Sequence, residues 1–168
     1  MLELRYYGDP VLRKSAAPVE KFDGRLKEFA AQMIETMRDS DGVGLAAPQV
    51  GVSLRLAVID AGSGEREPYV LINPEIVSFS SESEGSEEGC LSMPGISLNI
   101  NRPARVTVKA QNEEGVSYLI ENAEGLLARA LQHETDHLNG ILFIDHVSPV
   151  QRALLKGKLK KISEKQRE

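Results

Sequence analysis

Apolar residues recur at three- and four-residue steps in three stretches of the chain, a spacing that places them along one face of an α-helix. The first predicted helix runs from about Gly24 to Arg38, and Asp23 before it is a suitable N-cap. Its apolar face consists of Leu26, Phe29, Ala30, Met33, Ile34 and Met37. The second runs from about Ala123 to Asn139, with Gly140 as its C-terminal cap. Both helices should therefore bury one face.

The third predicted helix lies near the C-terminus, from about Pro149 to Lys165, and it is strongly basic. Its apolar stripe consists of Val150, Leu154, Leu155, Leu159 and Ile162. Residues 151–168 hold seven Lys or Arg and two Glu, whereas the rest of the chain holds 13 basic and 23 acidic residues. A basic tail thus follows an acidic body. The net charge of −5 argues against nucleic acid as the main ligand.

Short β-like runs occupy the middle of the chain: LRLAVID, YVLINP, EIVSF, RVTVKAQ and SYLIE. Three other segments are expected to be irregular. They are residues 1–22, with turns at Asp9-Pro10 and Pro18, the glycine-rich GVGLAAPQVG, and the polar, acidic SSESEGSEE at 80–88. Strands and helices do not alternate regularly. The pattern therefore favours an α+β fold over a doubly wound α/β fold.

Length and composition predict an ordinary globular protein. The chain has 168 residues, of which 41% are apolar and 27% charged, so residues 1–168 are expected to form a single domain. No apolar run approaches the roughly 18 residues that a membrane span needs. The N-terminal MLELRYYGDPVL lacks the basic start and apolar core of a signal peptide. A cytoplasmic location is therefore the expectation.

The stretch QHETDH, within the second predicted helix, contains a His-Glu-x-x-His pattern. His133 and His137 are one helical turn apart on the same face, so their imidazoles can converge on one metal ion. Glu134 would then lie beside a metal-activated water, where it can accept a proton. Asp136 is a candidate for orienting a neighbouring group. Two surface histidines on an amphipathic helix are the simpler alternative.

A catalytic metal site usually has three protein ligands, and this pattern supplies two. Downstream, His146 follows the end of the helix, and Glu164 and Glu168 lie in the basic tail, so none is a comfortable ligand. Upstream, Cys90 in EEGCLSMPG could complete a set of one thiolate and two imidazoles. A lone cysteine can equally be a small buried apolar residue.

Three segments, in this order and at this spacing, resemble the peptide deformylase family: GVGLAAPQVG (42–51), EGCLS (88–92) and QHETDHLNG (132–140). YGDPVLR, LINPEI and GILFIDH are similar to the family as well. The resemblance implies antiparallel sheets around a central helix that carries the two histidines, with a C-terminal helix. It implies hydrolytic removal of the formyl group from the N-terminal formylmethionine of newly made polypeptides.

The resemblance also implies roles for individual residues. Cys90, His133 and His137 are the matching metal ligands, with Fe²⁺ as the usual ion and Zn²⁺, Ni²⁺ or Co²⁺ as possible substitutes. Glu134 matches the residue that accepts and returns the proton. The backbone N–H of Leu91 and the side-chain amide of Gln49 match the groups that hold the oxyanion.

Further matching positions form a pocket for the methionine side chain and the adjoining peptide. They are Gly42, Val43, Gly44, residue 86, Glu88, Leu126, Arg129 and Ala130. Ser86 and Arg129 stand where the family often has apolar residues, and we expect both at the rim, with the Arg129 stem covering apolar surface. Glu88 is expected to pair with Arg102, and His146 to be structural.

The basic tail has two interpretations. It can be a solvated amphipathic helix packed on the body. By resemblance to bacterial relatives, it can also dock on the ribosome near the exit tunnel, where RNA phosphates attract its charge. Two other functions compete with deformylation of nascent peptides: a metallopeptidase of the His-Glu-x-x-His type, and a non-catalytic metal-binding protein.

Overall fold

The first helix begins where the sequence predicts it. The structure, a computed structural model, describes residues 1–62 and 66–166. Helix α1 spans Gly24–Asp39, and the Asp23 side chain accepts a hydrogen bond from Leu26 N at 3.1 Å. Four of the predicted apolar positions are buried, namely Leu26, Ala30, Met33 and Met37, while Phe29 and Ile34 are half-buried beside them. The capped helix thus covers one side of the core.

A five-stranded antiparallel sheet forms the main layer, in the order β1-β2-β3-β6-β7. Its strands are β1 (Gly44–Ala46), β2 (Leu56–Ile59), β3 (Tyr69–Phe79), β6 (Arg105–Gln111) and β7 (Ser117–Glu124). The runs YVLINP and EIVSF form one strand, β3, whose pairing with β6 shifts register between Ile72 and Glu75. Buried residues of α1 pack on the sheet through Leu45, Leu56, Val58 and Ile72. The α+β prediction is confirmed.

The acidic segment 80–88 is not a loop. Strand β4 spans Ser83–Gly89 and pairs along its full length with β5 (Ser97–Pro103) in a separate two-stranded sheet. We refer to β4 and β5 together as the hairpin. The residues of β4 before Glu88 are all exposed, on both faces of the strand, so no alternation of apolar and polar residues marks it.

The glycine-rich segment is also more regular than expected. It contributes β1 at the edge of the main sheet and a 3-10 turn over Ala47–Val50. Residues 1–22 are mostly irregular, as predicted, apart from a 3-10 turn over Pro10–Arg13 that Asp9 caps. Both turns place buried side chains, so neither segment is a free surface loop.

Helix α2 (Gly125–Leu138) lies between the main sheet and the hairpin. It starts two residues later than predicted, because Ala123 and Glu124 end strand β7. It ends at Leu138, one residue earlier than predicted, with Asn139 as the C-cap; Gly140 follows at φ +73°, and a Cβ there would lie 2.6 Å from Arg13 O. Nine of its residues are buried, including both histidines. The candidate site therefore stands on the most enclosed helix.

Helix α3 spans Pro149–Gln166 and packs on a cluster that contains Leu12, Met93 and Phe143. Its contact stripe is Leu155, Leu159 and Ile162. Val150 and Leu154, which the pattern assigns to that stripe, are instead 72% and 79% exposed, because they lie on the solvent side of the first turns. Tyr6 N donates to Gln166 Oε1 at 2.6 Å at the other end of the helix. Within the described ranges, no helix is long and apolar enough to cross a membrane.

Candidate metal centre and adjoining pocket

Helix α2 and the hairpin bring three possible ligands together. His133 and His137 are buried on the same face of α2, and their Nε2 atoms are 3.2 Å apart. Cys90 directly follows β4, and its Sγ lies 3.4 Å from His137 Nε2. The three donor atoms all lie within 4.8 Å of one another. The fold thus closes the long sequence separation between Cys90 and the two histidines.

These separations fit one shared metal ion. Ligand atoms bound at about 2.0–2.3 Å to one tetrahedral ion lie about 3.3–3.6 Å from each other, close to the 3.2 and 3.4 Å observed. Burial lowers the pKa of His137 well below its ordinary value, which keeps that imidazole neutral, as a ligand must be. At His133 burial opposes charge, but Glu134, Cys90 and Glu88 outweigh it and raise the pKa. Negative surroundings of this kind favour a bound cation.

Glu88 holds the outer nitrogen of His133. Its Oε1 accepts a hydrogen bond from His133 Nδ1 at 2.9 Å, which leaves the Nε2 lone pair facing Cys90 and His137. Arg102 binds the same carboxylate through two bonds of 2.6 and 3.0 Å, and Arg129 adds a third of 2.7 Å. Burial alone would raise the pKa of Glu88, but its bonds to His133, Arg102 and Arg129 lower it to about 2. Glu88 is therefore ionised across the physiological range.

Asp136 continues this network towards the surface. Its Oδ2 accepts from Arg102 Nη1 at 3.0 Å and from His146 Nε2 at 2.8 Å. Asp136 thus orients Arg102, which in turn binds Glu88. His146 lies outside the group of three possible ligands. Its bond to Asp136 is consistent with the structural role expected for it.

Glu134 and Gln49 lie beside the three donors. Glu134 is buried, burial raises its pKa to about 7, and its Oε1 has no hydrogen-bond partner in the described part of the chain. Gln49 Oε1 accepts from Ala46 N at 2.9 Å, which turns its Nε2 towards Ser92 Oγ at 3.1 Å and Cys90 Sγ at 3.6 Å. One proton acceptor and one amide donor therefore face the same small space.

A cavity of about 430 Å³ opens onto these groups. Every site residue expected from the sequence lines it except Ser86 and His137, the latter being almost completely buried. Ser86 does not line it, contrary to expectation, because its side chain is on the exposed part of β4. The cavity wall also includes Asp41, Glu87, Met93 and Ile96, which were not expected there from the sequence. Met93 and Ile96 closely follow the EGCLS block, so its continuation was a usable signal.

Arg129 does not extend along the rim as expected. Its side chain is only 11% exposed, and its guanidinium bonds to Glu84 O, Glu88 and Ile100 O. The Glu88–Arg102 pair is present and buried rather than exposed. Glu88 and Arg129, which line the cavity, therefore belong to one hydrogen-bonded network with Arg102 and the partly exposed Asp136.

Comparison with known proteins points to one family. The family model described as polypeptide deformylase matches residues 1–153. The peptide deformylase of Thermotoga sp. (strain RQ2) is 54% identical over 163 residues, covering 97% of each chain. A crystal structure of a peptide deformylase from Legionella pneumophila is 48% identical, with a TM-score of 0.91, and covers 99% of this chain and 97% of that one. The peptide deformylase structure from Thermus thermophilus is 40% identical, with a TM-score of 0.92 and 99% of each chain covered.

Proposed function

The chain belongs to the polypeptide deformylase family, and we propose that it works through a divalent ion, Fe²⁺, held by Cys90, His133 and His137. It is a metal-dependent hydrolase that removes the N-formyl group from nascent polypeptides and releases formate. The metallopeptidase and the non-catalytic binding protein are not favoured. The observation that carries the proposal is the convergence of the three donor atoms within 4.8 Å of one another.

The donor set suits several ions. One thiolate and two imidazoles bind Fe²⁺, Co²⁺, Ni²⁺ and Zn²⁺, so Zn²⁺, Ni²⁺ or Co²⁺ can substitute for Fe²⁺ in the isolated protein. When bound, such an ion supplies Lewis acidity, which polarises the formyl oxygen and makes water acidic near neutral pH. The contribution of the ionised Glu88 is to fix the His133 ring, so that Nε2 keeps its lone pair for the ion.

Glu134 moves the proton. Its carboxylate lies beside the ligand pair, burial raises its pKa to about 7, and its buried Oε1 has no partner among the described residues. It accepts the proton of the attacking water and returns it to the leaving amine as the bond between the formyl carbon and nitrogen breaks. The products are formate and the free N-terminal amine, and the carboxylate ends as it began.

Gln49 and Leu91 hold the charge that develops on the formyl oxygen. Ala46 N fixes the orientation of the Gln49 amide, so Nε2 faces the reacting group next to Cys90. The backbone N–H of Leu91, directly after Cys90, is the second donor. Donors that are already oriented need no rearrangement in the transition state, which is the main source of their effect on rate.

The cavity binds the methionine side chain and the start of the peptide. Gly42, Val43 and Gly44 form one wall, and the face of α2 with Leu126, Arg129 and Ala130 forms another, with Glu88 at its base. Leu126 is 54% exposed at the mouth, where it can cover the peptide beyond the first residue. A space of about 430 Å³ holds one unbranched side chain and a short stretch of backbone.

Residues 1–168 act as one domain, and α3 contacts the ribosome near the exit tunnel, in the cytoplasm. The match over residues 1–153 and the packing of α3 on Leu12 and Phe143 support a single unit. Lys156 and Lys160 lie one helical turn apart on the side of α3 that faces Tyr7, and they offer charge to RNA phosphates, whereas Arg152, one turn earlier, is paired with Asp145. Residues 167 and 168 of the basic tail lie outside the described residues.

Ribosome binding is tested by co-sedimentation at increasing salt. Lys156→Glu combined with Lys160→Glu should weaken binding and flatten its salt dependence, while Lys27→Glu on α1 should not. Unchanged binding of the double variant would contradict the contact.

The activity is tested by anaerobic assay with Fe²⁺ or Ni²⁺ on a formyl-Met tripeptide, following formate and peptide-bond cleavage in the same sample. Formate should appear without cleavage, and a Cys90→Ala variant should lose both its metal and its formate release. Peptide cleavage that survives in Cys90→Ala would favour the metallopeptidase.

A further inference from the structure

Arg129 makes three hydrogen bonds to the protein through its two terminal nitrogens. Its Nη1 donates to Glu88 Oε2 and to Ile100 O, both at 2.7 Å, and its Nη2 donates to Glu84 O at 2.7 Å. These three acceptors lie on both strands of the hairpin, whereas Arg129 itself is on α2. One side chain thus links the helix of the two histidines to both strands of the hairpin.

The hairpin depends on such links for its position. In the part of the chain that the structure describes, its two strands pair only with each other, in a sheet separate from the main one. A two-stranded sheet on its own is marginally stable in water, so packing and side-chain bonds must set its place. Cys90 directly follows β4, so any shift of the hairpin away from α2 moves Sγ away from the histidines.

A second arginine crosses the same interface in the opposite direction. Arg102, on β5, donates to Asp136 on α2 at 3.0 Å and to Glu88 on its own hairpin at 2.6 Å. Arg129 starts from α2 and reaches the same Glu88 carboxylate. Glu88 therefore lies between two guanidiniums, and Arg129 is the one that also binds backbone carbonyls of the hairpin.

We infer that Arg129 is a positioning residue, which holds the hairpin at the distance from α2 at which Cys90 meets His133 and His137. The inference rests on the ligand set proposed above. It also means that Arg129 offers the substrate no free charge, because the guanidinium is buried and bonded on both nitrogens that face the hairpin. Arg129 therefore affects turnover only indirectly, by setting the position of the Cys90 thiolate relative to the two histidines.

Co²⁺ binding tests this without relying on activity. A thiolate bound to Co²⁺ gives a charge-transfer absorption band, so the band reports directly on Cys90, and titration gives the Kd. Arg129→Leu should raise the Kd about 10- to 100-fold and weaken the band, as loss of a supporting contact typically does. Arg129→Lys keeps the charge but cannot reach three acceptors, so it should give an intermediate result.

Arg55→Leu is the matched control. Arg55 also anchors the C-terminal end of α2, through bonds of 3.0 Å to Leu138 O and to Oδ1 of the C-cap residue Asn139, but neither of these bonds involves the hairpin. It should lower the thermal midpoint without changing the Co²⁺ band. A purely stabilising role for Arg129 would give the same result as this control, and that outcome would overturn the inference.

Two further measurements separate the remaining explanations. In the substrate assay Arg129→Lys should lower kcat with little change in KM, whereas a substrate-binding arginine would raise KM. If Arg129→Leu does not fold, Arg129→Lys and Arg129→Gln carry the test, and wild-type Kd and band in both would overturn the inference. If Cys90→Ser leaves the wild-type band unchanged, the ligand set itself is wrong, which is a failure of the proposed function.

Discussion

Gly44 packs its backbone directly against the carboxylate of Glu134. A Cβ at position 44 would lie 2.6 Å from Glu134 Oε2 and 3.0 Å from its Cγ, well inside contact distance. Glu134 is itself enclosed, with 4% of its surface exposed, so the carboxylate has little room to move aside for an added Cβ. The absence of a side chain at position 44 thus lets strand β1 fix the place of the Glu134 carboxylate.

Gly44→Ala should lower kcat by roughly 10- to 100-fold, because misplacing a reacting group by about 1 Å costs that much. Metal content should be unchanged, since the added Cβ meets Glu134 rather than the three ligand residues. Gly24→Ala, where an added Cβ meets nothing within 4 Å, is the control and should retain full activity. Steady-state formate release checks both variants, and a fully active Gly44→Ala would contradict this role of the close contact.

Gln49→Leu removes the amide that faces Cys90. We expect kcat to fall by about 10²–10³-fold with little change in KM, the typical cost of losing one oxyanion donor. Gln111→Leu removes an amide on β6 that bonds Gly115 O, far from the cavity, and serves as the control. A rise in KM alone would assign Gln49 to substrate binding instead.

Much of this site could be read from the sequence, because its signals are local. The one-turn spacing of His133 and His137 and the amphipathic face of α2 depend only on helix geometry. The position of Cys90 beside them does not: ligand chemistry allowed Cys90 as the third donor, and the resemblance across three separate blocks favoured it over a merely buried cysteine. The partners of Gln49, Ala46 N and Ser92 Oγ, are contacts that follow from the fold.

The hairpin is the part that sequence patterns could not reveal. Strand β4 is acidic and exposed, so its sequence resembles that of a loop. Glu88 is its one buried residue. Arg129 bonds mainly to backbone carbonyls, which every residue possesses, so no residue type marks its partners. On α3, Val150 and Leu154 match the helical period but point to solvent, because they lie on a different side of the helix from the contact stripe of Leu155, Leu159 and Ile162.

Two leucines on α3 match the same helical period but differ in burial, so their substitution tests which face of the helix packs on the body. Leu159 is 5% exposed and packs with Phe143 and Leu12, whereas Leu154 is 79% exposed. Leu159→Ala should lower the free energy of unfolding by about 2–4 kcal/mol, the usual cost of a buried leucine. Leu154→Ala should change it by less than about 0.5 kcal/mol. Chemical denaturation of both variants decides this, and equal losses would mean that α3 packs through a different face.

Asp145 gives a pH-dependent contribution to stability. Burial alone would raise its pKa, but hydrogen bonds from Arg13 and Leu142 N and the charges of Arg13 and Arg152 lower it. A carboxyl whose pKa is lowered by folding stabilises the protein above its unfolded pKa, near about 4, and loses that effect as the pH falls through the folded pKa. Asp145→Asn should therefore cost roughly 1 kcal/mol at about pH 7 and progressively less below about pH 4.

Urea unfolding of wild type and Asp145→Asn at several pH values tests whether the difference in free energy of unfolding shrinks as the pH falls. Asp39→Asn, at the exposed end of α1, is the control and should show no such convergence. A difference between wild type and Asp145→Asn that grows as the solution becomes more acidic would contradict the assignment.

Proton transfer by Glu134 at an ion held by Cys90, His133 and His137 is the proposal on which the mechanism rests. Its most direct test measures bound metal and formate release in the same anaerobic preparations of wild type and Glu134→Ala loaded with Ni²⁺. On this proposal we expect one ion per chain in both, with formate released by the wild type and at least about 10²-fold less by the variant. Formate release at the wild-type rate by metal-loaded Glu134→Ala would contradict it.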